Sequence, residues 1–136
     1  MTVLVIDASA ALSTILKEER TPTSVALRDR IAADGAVVPA LWWLEVANVL
    51  LIAERKARVK PGERATALGG LAALPITTDL ETAARSRSDT LALAEAHRLT
   101  VYDAAYLELA LRRQLPLATL DNELAAAAGA CGVPVV

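Results

Sequence analysis

Val3-Leu4-Val5-Ile6-Asp7-Ala8-Ser9-Ala10 is an apolar, partly β-branched run that stops at a carboxylate and passes into small, helix-compatible residues. A short run with no polar alternation is the pattern of a strand buried on both faces, and such strands lie centrally in parallel sheets. Helical patterns follow over Ala10–Lys17 and Pro22–Ala33, where Pro22 suits a first helical turn and Gly35 a stop. A second strand is expected at Ala36–Val38. From Ala40 to about Arg58 the chain reads as a helix whose end collects Arg55, Lys56, Arg58 and Lys60, charges that favour a helix C-terminus.

Pro61 opens another helix to Leu74, and Pro75-Ile76-Thr77 is a short strand. Leu80–Arg98 gives helical segments with a break near Ser86-Arg87-Ser88. Thr100 and Asp103 have the form of a capping box for a helix through Arg113. Strand, helix and strand then follow over Leu115–Leu120, Glu123–Ala128 and Gly132–Val136. This alternation predicts an α/β fold with a parallel sheet covered on both faces, in which ligands gather at the carboxyl ends of the strands.

The 136 residues match one ordinary domain, expected to span 1–136. Hydrophobic residues make up 54% and charged residues 22%, which excludes a disordered tail. A formal charge of -2 provides no global basic field for nucleic acid, so any such contact must be local. The start lacks the basic and cleavage regions of a signal peptide. In the long apolar stretch Ala36–Ala53, Pro39 and the central Glu45 argue against a membrane span. The single cysteine, Cys131, cannot form an internal disulfide, and the expected compartment is a reducing cytoplasm.

Four acids interrupt runs that would otherwise be buried: Asp7 after Val3-Leu4-Val5-Ile6, Glu45 between Ala40-Leu41-Trp42-Trp43-Leu44 and Val46-Ala47, Asp103 after Val101-Tyr102, and Asp121 after Leu117-Ala118-Thr119-Leu120. A carboxylate removed from water must be paired, hydrogen-bonded or metal-bound. None of these runs contains Lys or Arg. Hard oxygen ligands without local cations suit Mg²⁺ or Mn²⁺. Asp7, Asp103 and Asp121 each have a plain alternative as a helix cap or turn residue. Glu45 is harder to explain that way, and Asn48 shares its helix face at i+3. Converging acids repel and raise one another's pKa unless a cation is present, and a divalent cation among them suits phosphodiester hydrolysis.

These segments resemble the PIN-domain ribonucleases, in particular the VapC toxins of prokaryotic toxin-antitoxin pairs. The likeness is carried by Val-Ile-Asp7-Ala-Ser9-Ala, Leu-Glu45-Val-Ala-Asn48-Val-Leu, Thr100-Val-Tyr102-Asp103-Ala-Ala-Tyr106-Leu and Ala-Thr119-Leu-Asp121-Asn-Glu-Leu, and it covers nearly the whole chain. It implies a three-layer α/β/α sandwich, Asp7, Glu45, Asp103 and Asp121 as the Mg²⁺ or Mn²⁺ site and catalytic centre of an endoribonuclease, and RNA as substrate. Ser9, Asn48 and Thr119 are polar neighbours of that set. The resemblance also implies a homodimer and a cognate VapB-like antitoxin that obstructs the cleft.

Trp42 and Trp43 are candidates for such a partner surface, with core packing as the alternative for at least one. Tyr102 and Tyr106 share a helix face and read as core. Arg85, Arg87, Arg112 and Arg113, with the Arg55–Lys60 cluster, are the available phosphate contacts, each with an ordinary solvated role as its alternative. His97 reads as a partner of a helix C-terminus. Receiver-like and haloacid-dehalogenase-like readings want a second acid directly after the first strand, where Ala8 and Ser9 stand. A non-catalytic PIN-like scaffold is the remaining rival.

Overall fold

A computed structural model describes residues 3–136. β1 (Leu4–Ile6) is fully buried and lies between β2 (Ala36–Val38) and β4 (Leu117–Ala118), with β3 (Ile76–Thr78) beyond β2. All three pairings are parallel. Val5 is in register with Val37 on one side and Leu117 on the other. Strands this apolar require cover on both faces, and the helices supply it.

One helical group comprises α1 (Ala8–Ser13), α3 (Trp42–Arg55) and α4 (Pro61–Ala72). The other comprises α6 (Asp89–His97), α7 (Val101–Arg113) and α8 (Asn122–Ala130). With the sheet they make the expected three-layer sandwich, and α7 packs on β1 and β4. α2 (Pro22–Asp34) and the short α5 (Thr82–Arg85) complete the helices, with one 3₁₀ turn at Lys17–Glu19. Trp42, Val46 and Leu50 are buried along one side of α3, and every residue of Ala104–Ala110 on α7 is buried. Tyr102 was expected in that core with Tyr106, but it is 66% exposed.

Several boundaries differ from the sequence reading for identifiable reasons. α1 begins at Ala8 rather than Ala10 because Asp7 itself is the N-cap, accepting from the Ala10 amide at 2.9 Å. α3 stops at Arg55, short of Arg58, because Ala57 turns to a left-handed φ of 56°. α2 begins as expected at Pro22, and a reciprocal capping box between Thr21 and Ser24 fixes its entry. The break in Leu80–Arg98 falls between α5 and α6, at Ser86–Ser88.

The expected strand at Gly132–Val136 is reduced to one parallel bridge, Leu117 with Val135. Gly132 has a φ of 77°, and Pro134 has no amide to donate, so the ladder is confined to the Pro134 carbonyl and the Val136 amide. Gly35 meets a stricter demand. It ends α2 at a φ of 86°, and a Cβ there would lie 3.1 Å from the Pro75 carbonyl oxygen, so only glycine turns the chain into β2 without strain.

The chain runs from β1 outward through β2 to β3 and returns to β4 on the other side of β1. The crevice at the carboxyl ends of β1 and β4 is therefore a topological switch point, the usual ligand position in an open parallel sheet.

Candidate metal centre

Asp7 leaves β1 at this crevice and is 7% exposed. Its Oδ1 accepts from the Ala10 amide and from the Ser9 hydroxyl, the latter at 2.8 Å, and its Oδ2 accepts from the Thr119 hydroxyl at the end of β4. Both hydroxyls are themselves fixed. Ser9 Oγ accepts from the Leu120 amide at 3.2 Å, and Thr119 Oγ1 from the Asp121 amide at 3.0 Å. The two polar neighbours expected beside the first acid thus tie β1 to β4, and Asp7 serves both as a helix cap and as a carboxylate at the strand end.

Asp121 is the N-cap of α8, its Oδ1 accepting from the amides of Glu123 and Leu124 at 2.8 and 3.1 Å. Asp103 lies in the first turn of α7 and donates its amide to Thr100 Oγ1 at 3.1 Å. This is one half of the expected capping box, since no reciprocal bond to the Thr100 amide forms among the described residues. Glu45, in the first turn of α3, accepts at Oε1 from the Tyr106 hydroxyl of α7. Asn48 is exposed and makes no side-chain hydrogen bond among the described residues.

Electrostatic coupling shows how these acids sit relative to one another. Burial raises the Asp7 carboxyl above its ordinary value; hydrogen bonds from Ala10, Thr119 and Ser9 oppose this, and the charge of Asp121 adds to it. Burial also raises Glu45, against the Tyr106 hydrogen bond, and the charges of Asp103 and Asp7 push it further. Asp103 is raised by burial and then by Asp121, with smaller effects from Asp7 and Glu123 and an opposing bond from Thr100. Asp7, Glu45 and Asp103, on three separate elements, therefore each feel the charge of at least one neighbouring acid. Among the described residues, no three of them form a ready-made metal cage.

Asp79 gives the contrast. It follows β3 as Asp7 follows β1, is 1% exposed, and was not singled out from the sequence, although an acid closing Ile76-Thr77-Thr78 is the same strand-end signal. Burial alone would raise its carboxyl, but Arg112 and then Arg113 outweigh burial and hold it below the ordinary value. Arg112 bonds Asp79 Oδ2 at 2.7 Å, Glu108 Oε2 at 2.8 Å and Glu81 Oε2 at 3.1 Å, and Arg113 bonds Asp79 Oδ1 at 3.1 Å.

Those bonds revise the expected phosphate contacts. Arg112 and Arg113 hold carboxylates, and Arg85 pairs with Glu81 and Asp89 at 3.0 and 3.4 Å. Among the described residues, Arg87 and the Arg55–Lys60 cluster make no ion pair, and all of their cations are exposed. His97, expected only as a helix-end partner, also places Nε2 3.3 Å from Cys131 Sγ.

The donor set fits a hard divalent cation. Every donor is oxygen, and no ion pair reaches Asp7, Glu45, Asp103 or Asp121 among the described residues, whereas Asp79 is neutralised by two guanidinium groups. The raised acids also fix a pH dependence. Asp7, Glu45 and Asp103 hold protons more tightly in the folded chain than at their ordinary values of 3.8, 4.5 and 3.8. Above those values the folded state binds more protons than the unfolded state, so the contribution of these groups to stability falls as pH rises through that window. Asp79, being lowered, acts oppositely and loses its contribution only as pH falls through its folded value. In EDTA, Tm should rise as pH is lowered from neutral toward the ordinary carboxylate range, and Asp7→Asn should reduce that slope. A slope that is flat or reversed, or unchanged in the variant, would contradict the coupling.

A family model for the PIN domain matches residues 4–130. Ribonuclease VapC3 of Pyrobaculum aerophilum is 35% identical over 122 residues, covering 90% of this chain and 92% of that protein. The crystal structure of PAE2754 from the same organism superposes with a TM-score of 0.71 at 25% identity, covering 100% of this chain and 92% of that one. FitAcB from Neisseria gonorrhoeae shares the fold at a TM-score of 0.61 and 18% identity, with 99% and 96% of the two chains covered.

Proposed function

Since the chain belongs to the PIN-domain family, we propose that it is a metal-dependent endoribonuclease, the toxin of a type II toxin-antitoxin pair, acting at Asp7, Glu45, Asp103 and Asp121. The observation that carries this reading is the gathering at the switch point of partly buried acids that no cation pairs among the described residues, Asp7, Glu45 and Asp103 each being raised first by burial and further by a neighbouring acid. The similarity to a protein named as a ribonuclease supports the substrate class.

Bound Mg²⁺ or Mn²⁺ would supply a polarised phosphoryl oxygen and a water of lowered pKa. The chain supplies position. Asp7 is held by two hydroxyls and an amide, Glu45 by the Tyr106 hydroxyl, and Asp121 by the first amides of α8. All of these donors are neutral, so they orient the carboxylates without cancelling their charge. Exposed Arg87 and the Arg55–Lys60 cluster are the expected contacts left without ion pairs to meet phosphate, among the described residues.

The proposed partners are a cognate VapB-like antitoxin and a second copy of the chain. The surface that favours a partner is α3, where Trp43, Leu44, Val49 and Ile52 are 38, 76, 46 and 39% exposed while Trp42 is fully buried. No helix among the described residues is long and apolar enough to cross a membrane. A non-catalytic PIN-like scaffold would use its acids as caps alone, and Glu45 caps nothing. The test is cleavage of several unrelated RNAs by purified, antitoxin-free protein. Cleavage with Mg²⁺ or Mn²⁺ that stops in EDTA is expected, and a folded protein inert toward all of them in both metals would overturn the proposal.

A further inference from the structure

We infer that Tyr106 is a positioning residue whose hydroxyl aims the Glu45 carboxylate at the metal, an inference that rests on the metal-site reading above. Tyr106 lies three residues after Asp103, one turn along the same face of α7, and is 1% exposed. Its hydroxyl donates to Glu45 Oε1 across 61 positions of sequence, joining α7 to α3. It makes the one side-chain hydrogen bond to Glu45 among the described residues.

A buried phenol that served packing alone would not need its hydroxyl, and phenylalanine would fill nearly the same space. A single O–H donor holds one carboxylate oxygen and leaves Oε2 open, with the full negative charge retained. Asp79 shows the opposite construction, with guanidinium groups on both oxygens and no capacity left for a ligand. Asp7 is built like Glu45, with neutral donors throughout. Groups that orient a metal ligand through a hydrogen bond fix its rotamer and its affinity for the ion.

The experiment is Mn²⁺ titration by calorimetry of wild type, Tyr106→Phe and Tyr102→Phe at equal folded fraction. Tyr106→Phe should bind Mn²⁺ roughly 10- to 100-fold more weakly. Tyr102→Phe, in the exposed first turn of the same helix, should match wild type. A second arm uses Glu45→Asp, which keeps the carboxylate but withdraws it from the hydroxyl. Adding Tyr106→Phe to Glu45→Asp should weaken binding no further, because the contact is already broken.

Wild-type affinity in Tyr106→Phe would overturn the inference while leaving the metal site standing. Additive losses in the double variant would also overturn it, since they would assign Tyr106 a packing role. Absence of Mn²⁺ binding in wild type would overturn the metal reading and this assignment together.

Discussion

Asp7→Asn should reduce RNA cleavage by at least about a hundredfold while leaving the protein folded. Changing a group that merely orients a metal ligand costs about 10–100-fold in affinity or activity, and Asp7 is proposed as a ligand itself. Asparagine preserves much of the local architecture. Its side-chain oxygen can still accept from the Ala10 amide and cap α1. What disappears is the negative charge and one acceptor for the Ser9 and Thr119 hydroxyls. The buried carboxylate is raised by burial and by Asp121, so its removal also relieves repulsion, and metal-free stability should change little. Cleavage rates at saturating RNA, with thermal melts of both proteins in EDTA, check the two halves. A folded variant retaining wild-type cleavage would remove Asp7 from the catalytic centre.

The second large effect is structural. Arg112→Ala should destabilise the fold by about 3–5 kcal/mol, the usual cost of leaving a buried charge without its partner. Arg112 is 15% exposed and sits between Asp79 and Glu108, which are 1% and 4% exposed. Arg113 would still reach Asp79, but Glu108 would lose its guanidinium entirely. Asp79→Asn should cost less, because Arg112 keeps Glu108 and Glu81. Urea unfolding of both variants measures the difference. A loss near 1 kcal/mol in Arg112→Ala would instead match an exposed ion pair and return the arginine to the available phosphate contacts.

The parallel core was readable because β1 and β2 are short, apolar and uninterrupted, and because Pro22, Gly35 and Pro61 punctuate the helices around them. The terminal strand was less legible, since pairing depends on which amides face the neighbour, and Pro134 has none to give. The four acids stood out because each breaks an apolar run, a signal that needs no knowledge of what lies nearby. Ser9 and Thr119 were readable only as residues beside acids, and their bridging of β1 to β4 emerges from register.

Tyr106 was legible as a buried aromatic but not as the partner of Glu45, because that contact joins two helices far apart in sequence. Asp79 was passed over for a related reason. A strand-end acid is equally compatible with a metal and with an ion pair, and Arg112 and Arg113 reach it from α7, more than thirty residues away. The same blindness made the arginines look free for phosphate. Local pattern reveals that a charge is buried, whereas only the fold reveals what neutralises it.

Asp7, Glu45, Asp103 and Asp121 are proposed to form one divalent-cation site. Mn²⁺ binding measured by calorimetry on wild type, Asp7→Asn and Asp103→Asn at equal folded fraction tests it most directly. Binding by wild type that is lost in both variants is the predicted result. Wild-type protein that binds no Mn²⁺, or variants that bind it as wild type does, would contradict the claim and leave Asp7 as a helix cap and Asp103 as an ordinary first-turn acid.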